Sequence, residues 1–262
     1  MFNILRTTSY KRSNHFFNSR FSRVHSAFST SAKMPITELV FIRPKPDAQL
    51  RKELDAKLPG VLSSVFSKIP KLDVLYIGSK LDGTCEDTHQ QDEMCLFLQW
   101  QHISGFDSFI GSPEFTTFKK SMLPYLAGPA DIQLYESPED GLIRTTENPL
   151  YLHVLKSNPN VGDTETSSQQ RTAINNEWQA FIERFRLASG SNGSLDFSLN
   201  GFGLRKDNGA FLSIAGWRDH KLINLALNDL DVKNSLRRLQ DVAEKSTWDH
   251  FIFKTQQVAL DK

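Results

Sequence analysis

The chain has 262 residues, 39% hydrophobic and 23% charged, enough for one large globular domain or two of ordinary size, and no apolar run reaches the roughly 18 residues that cross a bilayer as a helix. Its net charge of +1 is unevenly placed: six bases and no acids lie between Met1 and Thr37, which leaves 25 bases against 30 acids in the rest. That mildly acidic body has no general attraction for nucleic-acid phosphates, and two cysteines, Cys85 and Cys95, exclude a disulfide framework and point to a reducing compartment.

Residues 1–34 read as a mitochondrial transit peptide or a disordered basic tail. The segment is Arg- and Ser-rich, and Phe17, Phe21, Val24 and Phe28 recur at helical spacing beside Arg20 and Arg23. Import into the mitochondrial matrix is the expectation; a product starting at Met34 would stay in the cytoplasm.

Residues 35–137 form the first expected domain. Glu38 to Arg43 is a strand candidate rich in β-branched and aromatic residues. Asp47 caps a helix carrying Leu50, Leu54 and Leu58, which Pro59-Gly60 interrupts before it restarts over Val61 to Ile69. Strands follow at 72–79 and 94–101, separated by a polar loop. Ser112-Pro113-Glu114 opens a helix bearing Phe115, Phe118 and Met122, and Ile132 to Tyr135 is the closing strand.

A linker at 138–149, rich in turn formers and acids, leads to a second domain at 150–262. Leu150 to Leu155 is its first strand. A strongly amphipathic helix then carries Ile174, Trp178, Phe181 and Phe185 on one stripe. Strands at 195–199 and 210–217 flank the turn signal Asp207-Asn208-Gly209. A helix with Val232, Leu236 and Leu239 precedes the strand Phe251-Ile252-Phe253.

The two halves share element order and landmarks. Trp100 and Trp217 close equivalent strands 117 residues apart, each with a His (His102, His220) within three residues, and the final strands lie 118 apart. A near-constant offset marks a duplicated unit. Each copy reads βαββαβ, the ferredoxin-like order, with both helices on one face of a four-stranded antiparallel sheet. The other face of each sheet is also largely apolar and needs a cover. The expected fold is therefore α+β, two tandem ferredoxin-like units packed sheet to sheet within one chain.

The strand ending in Trp with a nearby His, then Ser112-Pro113-Glu114-Phe115, Ala127-Gly128-Pro129 and a strand ending in Tyr135-Glu136, resembles the antibiotic biosynthesis monooxygenase family of the dimeric α+β barrel superfamily, here as a fused pair over about Pro35 to Thr255. The resemblance implies a barrel supplied by one chain and chemistry of the kind found among cofactor-free oxygenases of phenols, haem-degrading enzymes, isomerase-like relatives or members without activity. Haem-degrading relatives carry an Asn in the first strand and a His beyond the strand-three Trp. Neither first strand here has that Asn, and Ile110 and Leu227 stand where the His is sought. No cofactor and no metal are expected.

His153 and His250 lie in strands that are neighbours in the ferredoxin-like order, so they are the candidate catalytic residues, as general base or phenol partners. Trp217, Tyr151, Trp178 and Ser213 are the candidate substrate-binding residues. Ser213 and Ala215 flank Trp217 where Leu96 and Leu98 flank Trp100, which places any cavity in the second half unless Trp178 fills it. The spacing of Cys85, His89, Cys95 and His102 matches no usual zinc pattern, and Gly201-x-Gly203 lacks the remaining glycine and context of a dinucleotide loop. Two functions stay open. One is a cofactor-independent monooxygenase acting on a small aromatic or quinone-type compound. The other is a non-catalytic barrel with an interaction or stability role in mitochondria. In either case no nucleic-acid partner and no membrane span are expected, and the chain is a monomer with an internal barrel or a higher homo-oligomer.

Overall fold

A computed structural model describes residues 34–81, 93–137, 150–158, 167–189, 195–243 and 246–260. Residues 1–33 of the expected presequence, the linker at 138–149, Cys85 and His89 lie outside them. Among the described residues eight strands and six α-helices follow in the order β1 (Ile36–Ile42), α1 (Ala48–Phe66), β2 (Leu72–Lys80), β3 (Met94–Trp100), α2 (Ile103–Ile110), α3 (Pro113–Met122), β4 (Asp131–Glu136), β5 (Leu150–Asn158), α4 (Ser168–Ala188), β6 (Leu195–Gly203), β7 (Phe211–Trp217), α5 (His220–Asn228), α6 (Leu230–Val242) and β8 (Thr247–Gln257).

Strand alternation sorts the side chains into layers. In β1, Thr37, Leu39 and Phe41 point one way and Ile36, Glu38, Val40 and Ile42 the other. Leu39 and Phe41 join Phe97, Tyr76, Leu152, Val154, Ile214 and Phe253 in a shared interior. Ile36 and Ile42 pack instead with Leu54, Leu58, Leu62 and Phe66 of α1 and with residues of α2 and α3. The second half repeats the arrangement: Leu155, Ala215 and Trp217 pack under Ile174, Trp178, Phe181 and Phe185 of α4 and under α5 and α6.

The four strands of each half form an antiparallel sheet, and the strand order β1-β3-β2-β8-β5-β7-β6-β4 returns to β1. The two ferredoxin-like sheets thus face each other, and their edges join into one closed barrel, which removes unpaired strand edges. The seams differ. β2 and β8 pair from Tyr76↔Gln257 to Lys80↔Phe253, whereas β4 and β6 pair only at Tyr135↔Gly203 and Glu136↔Phe202.

Local signals place the helix starts. Asp47 accepts from the Leu50 amide at 2.8 Å, Ser112 from Phe115 at 3.1 Å, and Asp229 from both Asp231 and Val232, each satisfying amides that a helix N-terminus leaves without partners. Two expectations are corrected. α1 runs unbroken through Pro59: although proline removes one helical donor, at about 3 kcal/mol in a helix interior, the stripe Leu54, Leu58, Leu62 and Phe66 is buried against the sheet on both sides of it. β8 extends over eleven residues, well beyond Phe251–Phe253, because it pairs with β5 along one edge and with β2 along the other.

Candidate active site

Glu38 sits on the helix-facing side of β1, opposite Leu98 of β3 and Leu134 of β4, and is 4% exposed. One carboxyl oxygen accepts a 2.7 Å hydrogen bond from the Trp100 indole N–H. Trp100 is itself held by ring contacts with Phe106 and Phe109 of α2, 6.1 and 5.9 Å between centroids. Burial raises the Glu38 pKa from its usual 4.5 to about 7, and the indole hydrogen bond only partly opposes this.

The carboxyl borders a cavity of about 200 Å³ between the first sheet and its helices. Val40, Leu96 and Leu98 form its floor, Phe109 and Phe115 part of its roof, and the Gly128–Ala130 segment one end. An apolar cavity of about 150 Å³ is already enough for benzene, so this one holds a single substituted ring. A largely apolar chamber lined by a buried carboxyl half-charged near neutral pH, with Lys119 also in its wall, is suited to taking a proton from a weak acid such as a phenol.

The register reveals an equivalent position in the second half. Ile36 lies opposite Trp100 and Tyr151 opposite Trp217; two residues on in each strand come Glu38 and His153. His153 is 1% exposed, its ring 5.3 Å from Phe185 and 5.9 Å from His250 between centroids. Among the described residues neither imidazole nitrogen has a hydrogen-bond partner, nor has the indole nitrogen of Trp217. Burial first, and then the charge of His250, push the His153 pKa down to about 3, which makes it a poor proton acceptor at neutral pH.

The other second-half candidates gather on the same helix-facing side. Trp217 is fully buried with its ring 4.7 Å from Phe185. Trp178 donates its indole N–H to Ser213 at 2.8 Å, and Tyr151 lies 5.0 Å from the ring of His220. Trp178 thus packs over Ser213 and Ala215, and an apolar cavity lies in the first half, over Leu96 and Leu98. His102 caps α2, its Nδ1 accepting from the Ser104 amide. Cys95 faces the barrel interior, near the opposite end of β3 from His102, so these two members of the cysteine–histidine set do not converge. Among the described residues no cluster of His, Cys, Asp or Glu suited to a metal ion occurs, and no helix is long and apolar enough to cross a membrane.

This architecture is a dimeric α+β barrel carried by one chain, and solved structures share it. A candidate monooxygenase from Fusobacterium nucleatum subsp. nucleatum superposes with a TM-score of 0.58 at 9% identity, over 86% of this chain and 94% of that one. A second candidate monooxygenase, from Lactobacillus acidophilus NCFM, gives 0.55 at 9% identity, over 87% and 97%. An anthrone oxidase-like protein gives 0.59 at 13% identity, over 88% and 96%. At these identities the likeness is one of fold. No family model and no curated protein matches the sequence.

Proposed function

We propose that the protein is a cofactor-independent monooxygenase acting on a small, single-ring phenol or hydroquinone, with the first-half cavity as its active site and Glu38 as its base. The observation that carries this reading is a buried carboxyl of pKa about 7 opening on an apolar, ring-sized cavity. The names of the proteins that share the fold are compatible with it.

In the reaction, the Glu38 carboxylate takes the phenolic proton, and the apolar walls keep water from competing for the anion. The electron-rich phenolate passes an electron to dioxygen, and the resulting pair combines to a ring peroxide. Loss of water from the peroxide leaves a quinone, so phenol plus O₂ becomes quinone plus water. One oxygen atom enters the product; the other leaves as water with the two hydrogens lost from the O–H and C–H bonds. Glu38 is in its acid form after the first step and returns that proton to the departing oxygen. Trp100 is a positioning residue, holding the carboxyl by one oxygen and leaving the other to the substrate.

Oxygen uptake by the purified chain with a panel of single-ring phenols and hydroquinones tests this. Uptake that saturates with substrate, is matched by quinone formation, and falls at least a hundredfold in Glu38→Gln is expected. Turnover unchanged in a folded Glu38→Gln variant would overturn it.

A further inference from the structure

A second cavity, of about 520 Å³, opens at the end of the barrel where Phe41 of β1, Lys156 of β5 and Phe251 of β8 meet. It lies on the interior side of the sheet, with only the Gly128-Pro129 segment shared with the cavity at Glu38. At its depth is Lys156, a cation 7% exposed. The ammonium is 3.3 Å from the Gln133 side-chain oxygen, 3.5 Å from Asp249 and 5.5 Å from the centre of the Phe41 ring. Charged groups are almost never this buried unless paired, and this one is paired weakly. The side chain of Asp249 is 42% exposed and is already bonded to Asn158 at 2.7 Å.

The other carboxylates at the cavity are engaged. Glu93 pairs with Lys80 at 3.2 Å, and Asp131 accepts from Lys206 and, at 2.6 Å, from Gln133. Arg43 reaches only 3.9 Å from Glu93 with its side chain 78% exposed. The lining itself holds three carboxylates and two cations; Lys80 and Lys206, outside it, pair with Glu93 and Asp131, which leaves Asp249 against Lys156 at the depth and Arg43 at the mouth. Between them, the Phe41 and Phe251 rings stand 5.8 Å apart at an interplanar angle of 52°, with the Lys80 ammonium 4.7 Å from the centre of the Phe251 ring.

We infer that this barrel mouth is a binding site for a small aromatic carboxylate, its anionic group on Lys156 and its ring against Phe41 and Phe251. An ammonium has three donors, and the two oxygens at 3.3 and 3.5 Å leave one direction for a ligand. A charge-assisted bond to a ligand carboxylate is shorter and stronger than those contacts. The site is separate from the proposed active site, and its occupancy does not depend on Glu38.

Calorimetric titration of the full chain with 1-naphthoate tests the assignment, with neutral 1-naphthalenemethanol and ringless acetate as comparisons. Saturable one-site binding of naphthoate is expected, with both comparisons at least tenfold weaker. Lys156→Gln weakens naphthoate at least tenfold, Glu38→Gln leaves it unchanged, and Asp249→Asn, which removes the competing carboxylate, tightens it. The last is a gain that a misfolded variant cannot mimic. No binding to the parent chain, equal affinity in folded Lys156→Gln, or weakening by Asp249→Asn overturns the site.

Discussion

Glu38 and His153 occupy one structural position in two copies and pull the pH dependence of stability in opposite directions. The Glu38 pKa is raised on folding, from 4.5 to about 7. Its contribution is fully present below pH 4.5 and is lost as pH rises through 7, amounting to about 3 kcal/mol. The His153 pKa is lowered, from 6.5 to about 3, so its contribution is present above pH 6.5 and lost as pH falls toward 3. Denaturant unfolding at a series of pH values will show Glu38→Gln more stable than the parent at pH 8 but not at pH 4.5. His153→Leu will flatten the acid limb instead. Catalysis runs against stability at the first site: turnover rises with pH through about 7 as Glu38 ionises. Trp100→Phe removes the hydrogen bond that favours the carboxylate, so it moves that midpoint upward. Glu38 was open to discovery from sequence, as an acid among Ile36, Val40 and Ile42 on the apolar face of a strand. A glutamate at a strand's start is usually solvated, and only the register with Trp100 distinguishes it. His153 stood out because a histidine inside an apolar strand is rarer.

Individual elements were legible to the extent that their own residues decide them. Caps at Asp47 and Ser112 and the stripe of α4 are local signals, and the structure follows them. The continuity of α1 through Pro59 and the length of β8 depend on partners remote in sequence. The contest for volume beneath Trp217 is of the same kind: strand residues alone favour a cavity there, and Trp178 of α4 decides against it. Trp178→Ala will therefore cost about 3–5 kcal/mol in unfolding free energy, because it opens a buried void and strips Ser213 of its donor. In the first half the cavity is bounded by Phe66 of α1, Phe109 of α2 and Phe115 and Phe118 of α3. There Phe118→Trp, at the edge of the cavity, will weaken phenol binding at least tenfold in titration, at a stability cost of about 1–3 kcal/mol.

The eight described strands form a closed ring with one short seam. β4 and β6 share two paired positions, and the turn after β6 extends the junction. The Leu204 amide donates to the Leu134 carbonyl at 2.8 Å, and the Asp207 carboxylate accepts from the Leu134 amide at 3.1 Å. Asp207→Ala will cost about 1–3 kcal/mol by leaving that amide without a partner. Hydrogen exchange will then quicken at β4 and β6 before it does at β2 and β8. The duplication and the facing sheets were visible in the sequence, because a constant offset and two-sided apolar strands record them directly. Which seam is weak, and which half keeps a cavity, are sums over contacts between distant segments that no single motif carries.

A carboxyl with a pKa near neutrality at the wall of an apolar cavity is central to the proposed reaction. Its most direct test is an NMR pH titration of the ¹³C-labelled glutamate carboxyls, with the Glu38 resonance identified by its absence in Glu38→Gln. A midpoint near 7 that shifts when a single-ring phenol binds is the predicted result. A midpoint between 4 and 5, indifferent to the phenol, would contradict it.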